Sequence, residues 1–134
     1  MSRCFIQSKL HITDQNGQNQ TRFAIGDSIH FTVEVINTSS KHVNFQTNQP
    51  GFDIKLMNNG QEVWSAFYNQ LFMQVMMEHQ LAPGESMRFN AQCEGNDNQG
   101  EPLTAGSYQV VPELVLFLDN KRLSPPASED ILLK

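Results

Sequence analysis

The side chains with most to offer chemically in this 134-residue sequence are four histidines, two cysteines and six methionines. His11, His30, His42 and His79 lie far apart, at polar-phase positions of separate segments. No Cys–His neighbourhood and no Gly-x-Ser-x-Gly elbow can be read, and those are the arrangements that activate a nucleophile. The four histidines therefore read as surface residues. Glu113 stands inside an apolar run (Val110, Val111, Leu114, Val115, Leu116), where a second carboxylate would permit glycosidase chemistry. Nothing in the sequence supplies that partner. Gly95 and Gly100 lead into no Lys-Ser/Thr and no helix, so no phosphate cradle is expected.

Met73, Met76, Met77 and His79 fall within seven residues, and thioether with imidazole is the soft donor set that selects Cu(I). In an extended chain Met73, Met77 and His79 share one face and Met76 points the other way. Methionine also fills gaps in cores and adapts at contact surfaces, which is the plainer expectation here. Neither a metal nor a cofactor is expected. Cys4 and Cys93, 89 positions apart, make no metal motif and are expected reduced and buried. Around the methionines gather Trp64, Phe67, Tyr68, Leu71 and Phe72. Trp64 and Phe72 are expected in the core, and Phe67 and Tyr68 on an exposed loop. Aromatic and methionine side chains on a loop held by a rigid scaffold suit protein binding.

The elements that would hold such a loop follow from a hydrophobic period of two. Ile29, Phe31, Val33 and Val35 alternate with His30, Thr32 and Glu34; Phe52, Ile54 and Leu56 repeat the pattern, as do Met87, Phe89 and Ala91. Asn58-Asn59-Gly60, Ala82-Pro83-Gly84-Glu85 and Thr104-Ala105-Gly106-Ser107 supply turns, the first suited to a tight hairpin. Strands are expected at 4–13, 22–25, 28–36, 42–48, 52–57, 61–66, 72–80, 85–93 and 106–118. Many short strands with frequent turns argue for one all-β domain over residues 1–134, an antiparallel β-sandwich of two sheets with about eight or nine strands; a barrel comes second. Residues 94–104 read as a polar loop. In the C-terminal tail 119–134, Ser124-Pro125-Pro126 breaks the sheet, and Ile131, Leu132 and Leu133 either cover an edge or hang free.

Composition narrows the partners. The formal net charge of −5 and pI near 5.2 argue against binding nucleic acid or anionic lipid. Charged residues make only 17% of the chain, while Asn and Gln together make 25 of 134 residues, so the surface is polar but weakly charged. No stretch approaches the ~20 apolar residues of a membrane span, and the polar start lacks the features of a signal peptide. A cytoplasmic protein binding another protein, with no membrane and no small-molecule substrate, is the expectation.

The run Gly26-Asp27-Ser28, Phe31-Thr32-Val33-Glu34-Val35-Ile36-Asn37-Thr38-Ser39, then Phe52-Asp53-Ile54 and Glu62-Val63-Trp64, resembles the intracellular proteinase inhibitor (BsuPI) family. It continues through Phe72-Met73-Gln74, Leu81-Ala82-Pro83-Gly84-Glu85 and Leu103-Thr104-Ala105-Gly106-Ser107-Tyr108-Gln109-Val110, covering about residues 23–118. The resemblance implies an Ig-like β-sandwich and inhibition of a cytoplasmic subtilisin-like serine protease, without enzymatic activity. A non-inhibitory Ig-like interaction module is the alternative. The residues themselves place the contact in 66–74, with Phe67, Tyr68, Leu71, Phe72 and Met73 as candidates and Leu71 the one offered to an apolar specificity pocket.

Overall fold

The computed structural model describes residues 6–134, and every element in it is a strand or a connection between strands. In chain order the strands are β1 (Ile6–Thr13), β2 (Arg22–Phe23), β3 (Ile29–Asn37), β4 (Val43–Asn58) and β5 (Gln61–Ser65). There follow β6 (Met77–Leu81), β7 (Ser86–Cys93), β8 (Gly106–Leu118), β9 (Lys121–Arg122) and β10 (Glu129–Leu133). Strands β1, β3 and β7 make one antiparallel sheet. The other runs β2-β10-β8-β4-β5, with β6 on the N-terminal half of β4 and β9 on β8.

Alternation in sequence becomes sidedness in space. Along β3 every second residue from Ile29 to Asn37 is at most 1% exposed, and the residues between them are half-buried. Strand β8 does the same with Tyr108, Val110, Leu114 and Leu116. The two sheets close face to face on these side chains, and Phe31 of one meets Trp64 of the other with ring centroids 5.6 Å apart. Burying each such side chain stabilises the fold by about 1.5–3 kcal/mol. The Tyr108 hydroxyl donates to the Thr104 carbonyl at 2.7 Å, the corner bond of Ig-like sandwiches. The domain is an Ig-like β-sandwich of two sheets.

Several local expectations are corrected. The strands expected at 42–48 and 52–57 are one strand, β4, whose register shifts between Thr47 and Phe52. Between those two stretches Pro50 stands at the bulge, where no ladder donor is required. Gly51 has φ of 88°, and a Cβ there would lie 3.1 Å from the Phe89 ring, so only glycine lets the bulge pack down on β7.

The expected strand 72–80 shrinks to β6, because its partner β4 leaves register beyond Thr47 and offers residues 71–76 no ladder. Nor does the tail simply break the sheet. Asp119 and Asn120, at φ 52° and 64°, turn the chain so that β9 pairs back on β8. Its last residues cover an edge: β10 pairs antiparallel with β8 and, as the one parallel pair among the described residues, with β2. Ile131 and Leu133 are thereby buried.

Candidate functional site

The chain between β5 and β6, residues 66–76, arches over the bulge of β4. Both ends are tied to that strand. At the first, Ala66 N–H donates to the Ile54 carbonyl at 2.9 Å. The polar loop behind it holds the same end: Ser65 N–H donates to Asn98 Oδ1 at 2.9 Å and Asn98 N–H to the Val63 carbonyl at 2.9 Å. Gln99 Nε2 reaches the Tyr68 hydroxyl at 3.3 Å. At the second end Met77 pairs with Thr47, and His79 Nε2 bonds Thr47 Oγ1 at 2.9 Å while its ring stacks on Phe45 at 5.1 Å.

Beneath the arch runs an aromatic ladder. Phe89 of β7 meets Phe52 of β4 at 5.1 Å, Phe52 meets Phe67 edge-on at 5.3 Å, and Phe67 meets Phe72 edge-on at 5.3 Å. Edge-to-face pairs contribute about 0.5–1.5 kcal/mol beyond the area they bury. The ladder connects the arch through the bulge to the opposite sheet. Tightening is local too: Gln70 N–H donates to the Phe67 carbonyl at 3.1 Å across Asn69, whose φ is 61°, and Val75 N–H donates to the Met73 carbonyl at 3.0 Å.

What the arch presents is apolar. Among the described residues eight large hydrophobic side chains are exposed, and seven of them lie between Tyr68 and Met77. Leu71, at the crest, is 100% exposed, Met73 74% and Met76 50%. Phe72, Met73, Val75 and Met76 line one side of a groove of about 510 Å³ against Asn48 and Gln49. A smaller hollow of about 260 Å³ lies under the arch, between Pro50, Phe52, Phe67 and Phe72 and the carboxylates of Asp53 and Glu113. Burial pushes the Asp53 carboxyl above its usual range, with Glu113 adding to it. Glu113 itself is bridged by Lys55 at 3.3 Å.

The structure brings Phe67, Tyr68, Leu71, Phe72 and Met73 together on one arch, in roles that differ from expectation. Phe72, expected in the core, is 37% exposed, because the arch stands off the sheet. Phe67, expected exposed, is half-buried as the middle rung of the ladder. Val75 and Met76 were not among the candidates; the signal for them was Pro50-Gly51 opposite, which removes the ladder partner. Trp64 is in the core as expected.

The other candidates disperse. His11 lies on the outer face of the three-stranded sheet, where its Nε2–H donates to Glu34 Oε1 at 2.9 Å. His30, expected at the surface, has its Nε2 buried without a hydrogen-bond partner among the described residues. His42 lies in the β3–β4 connection and His79 on β6. Cys93 is a buried free thiol whose pKa burial pushes up; Cys4 lies outside the described residues. No group of three or more His, Cys, Asp or Glu side chains placed to hold a metal occurs among the described residues. No helix long and apolar enough to cross a membrane occurs among them.

Exposed apolar side chains gathered on a loop held by a rigid sandwich are a feature that protein-contact surfaces share. The model of the family described as "BsuPI: Intracellular proteinase inhibitor" matches residues 11–116, and the chain belongs to this family. No curated protein matches significantly. Among solved structures the chain is similar to an alkylpurine DNA glycosylase of Pseudomonas fluorescens bound to DNA containing an abasic-site analogue, at 13% identity and TM-score 0.47, over 97% of this chain and 30% of that one. It is also similar to the CARDB domain of a Pyrococcus furiosus protein in complex with di-metal ions, at 13% identity and TM-score 0.47, over 97% and 90%. A mutant β-glucosidase of Listeria innocua in complex with laminaribiose matches at 12% identity and TM-score 0.44, over 100% of this chain and 17% of that one. The chain thus spans less than a third of the glycosylase and of the glucosidase. None of these likenesses bears on activity.

Proposed function

We propose that this protein inhibits a cytoplasmic subtilisin-like serine protease by laying the arch 66–76 into the enzyme's substrate cleft, without chemistry of its own. The observation that carries the reading is the concentration of exposed apolar side chains on a single pinned loop, in a chain of the proteinase inhibitor family. A protease cleft binds an extended segment by adding it as a strand and by filling side-chain pockets. Residues 71–76 pair with no strand, and Leu71 stands fully exposed at their start. Leu71 enters the apolar specificity pocket, with Met73 and Tyr68 flanking it. Phe67 and Phe72 hold the loop in shape beforehand, which spares about 0.5–1.5 kcal/mol for each side chain that would otherwise be ordered on binding.

The test is a titration of the purified chain against a panel of serine proteases that includes an intracellular subtilisin type, followed by a gel. Stoichiometric loss of protease activity with the 15.2 kDa chain intact is the expected result. Rapid cleavage of the chain, or no inhibition, would overturn the reading and leave an interaction module whose partner is another protein.

A further inference from the structure

Two of the six methionines in the chain stand on the arch, Met73 and Met76, with 74% and 50% of their surface exposed, and Met77, at 37%, follows as the first residue of β6. Met57 and Met87 are half-covered by the sheets. Met73 and Met76 make the apolar wall of the groove together with Phe72 and Val75. A thioether reacts with peroxides without first losing a proton, so access sets its rate. The described thiol, Cys93, competes poorly. It is 0% exposed, burial pushes its pKa up, and the thiolate is the reactive form.

We propose that Met73 and Met76 form an oxidation-sensitive site through which hydroperoxides switch the arch from a docking surface to a non-docking one. The proposal rests on the reading of the arch as the protease contact. In the reaction a sulfur lone pair attacks one oxygen of hydrogen peroxide, the O–O bond breaks, and the products are the sulfoxide and water. Sulfur is oxidised by two electrons and peroxide reduced by two. The sulfoxide reverts through methionine sulfoxide reductases, whose thiols supply the electrons. Each sulfoxide sets a strong acceptor on a surface that must be desolvated against an apolar pocket. Each one buried without a donor weakens binding about tenfold.

The whole chain, treated with graded hydrogen peroxide, is digested and mapped by mass spectrometry, and its inhibition is titrated before and after. Met73 and Met76 should gain about 16 Da each well before Met57 and Met87. Potency should fall at least tenfold with an unchanged melting temperature, and a methionine sulfoxide reductase should restore it. The ratio of treated to untreated potency in the Met73→Leu/Met76→Leu double variant should stay near one, whatever its untreated potency; this variant keeps both cysteines. Equal oxidation of Met57 and Met87, or full potency with both sulfoxides in place, would overturn the switch while leaving the inhibitor reading intact. An untreated chain that inhibits nothing would overturn the inhibitor reading and the switch with it.

Discussion

Asn37 and Leu71 break the inside–outside rule in opposite directions. Asn37 is 0% exposed at the end of β3, and Leu71 is 100% exposed on the arch. The amide at Asn37 is satisfied on every side. Its Nδ2 donates to the Lys41 carbonyl at 2.7 Å and the Leu81 carbonyl at 3.0 Å, and its Oδ1 accepts from Ser39 N–H at 2.9 Å and Ser39 Oγ at 2.7 Å. The buried polar group is thus explained within the fold, because it fastens the end of β6 to the β3–β4 corner. Nothing among the described residues covers Leu71. An exposed apolar side chain on a pinned loop gains its free energy only when something outside desolvates it. One anomaly is answered within the fold, and the proposed reading assigns the other to binding.

That division is broken most directly at Leu71. Leu71→Asp places a charge where the proposed contact sets a hydrocarbon into a specificity pocket. Binding should weaken by about 3–4 kcal/mol, a few hundredfold in inhibition constant, as for a central anchor residue. The melting temperature should stay within about 1 °C, because the side chain touches nothing in the fold. A titration beside a thermal melt reads both, and a variant that keeps its potency removes Leu71 from the contact. The complementary change is Asn37→Ala, which removes the amide partner of the buried Leu81 carbonyl and of the part-buried Ser39 N–H, while the Lys41 carbonyl keeps its bond from Ser39 Oγ. Unsatisfied buried groups cost about 1–3 kcal/mol each, so with some relaxation a loss of about 3 kcal/mol is expected. For a domain of this size the melt should fall by roughly 10 °C. At temperatures where the variant stays folded its inhibition constant should hold within about threefold. A variant that melts like the parent would mean that water enters the corner and repairs it.

The sheets were legible in the sequence because alternation with period two maps directly onto sidedness, and the Asn59-Gly60 hairpin because only positive φ closes that turn. The two ends of the arch were harder to read. Met73, Val75 and Met77 alternate as a strand would, yet only Met77 begins one, and what denies Met73 and Val75 a ladder is the bulge at Asn48–Gly51, a neighbour in space but more than 20 residues away in sequence. Phe72 was mistaken for core for the same reason. A bulky aromatic reads as buried unless the sheet under it is known to leave register. Asn37 gave no signal at all: Asn-Thr-Ser after a strand reads as an exposed turn, and only the convergence of Leu81 and Lys41 on it makes it a hub.

The ladder under the arch sharpens the contrast, since it belongs to both sides. Phe67→Ala removes the middle rung between Phe52 and Phe72. The expected cost is about 2 kcal/mol of stability, less than for a fully buried Phe because Phe67 is only half-covered. Inhibition should weaken about tenfold as well, through lost preorganisation. Phe67→Leu should recover more of the stability than of the potency, since it restores volume but not the edge-to-face geometry. A potency loss that merely tracks the stability loss would show that the arch needs no preformed shape.

The smallest effects come from two carboxylates, one on each sheet, whose pKa values move in opposite directions. Glu34, on the outer face of the three-stranded sheet, is held below its ordinary value of 4.5 by the His11 hydrogen bond, aided by Arg88 at 3.3 Å. A depressed folded-state pKa means stability that is present above the unfolded value and is lost as pH falls through the folded one. Glu34→Gln should therefore cost under about 1 kcal/mol at neutral pH, and that difference should vanish on acidification below about pH 4. Asp53, beside the arch, carries the reverse sign: burial raises its pKa, so its contribution is favourable in acid and lost as pH rises through the folded value. Asp53→Asn keeps the oxygen that accepts from Ile54 N–H at 2.8 Å and discards the charge. It should stabilise slightly at neutral pH and lose that advantage in acid. Denaturant melts of the two variants between pH 3 and 7 should thus give curves that approach the parent from opposite sides. If both approach from the same side, the hollow under the arch is wetter than its lining of Phe52, Phe67 and Phe72 implies.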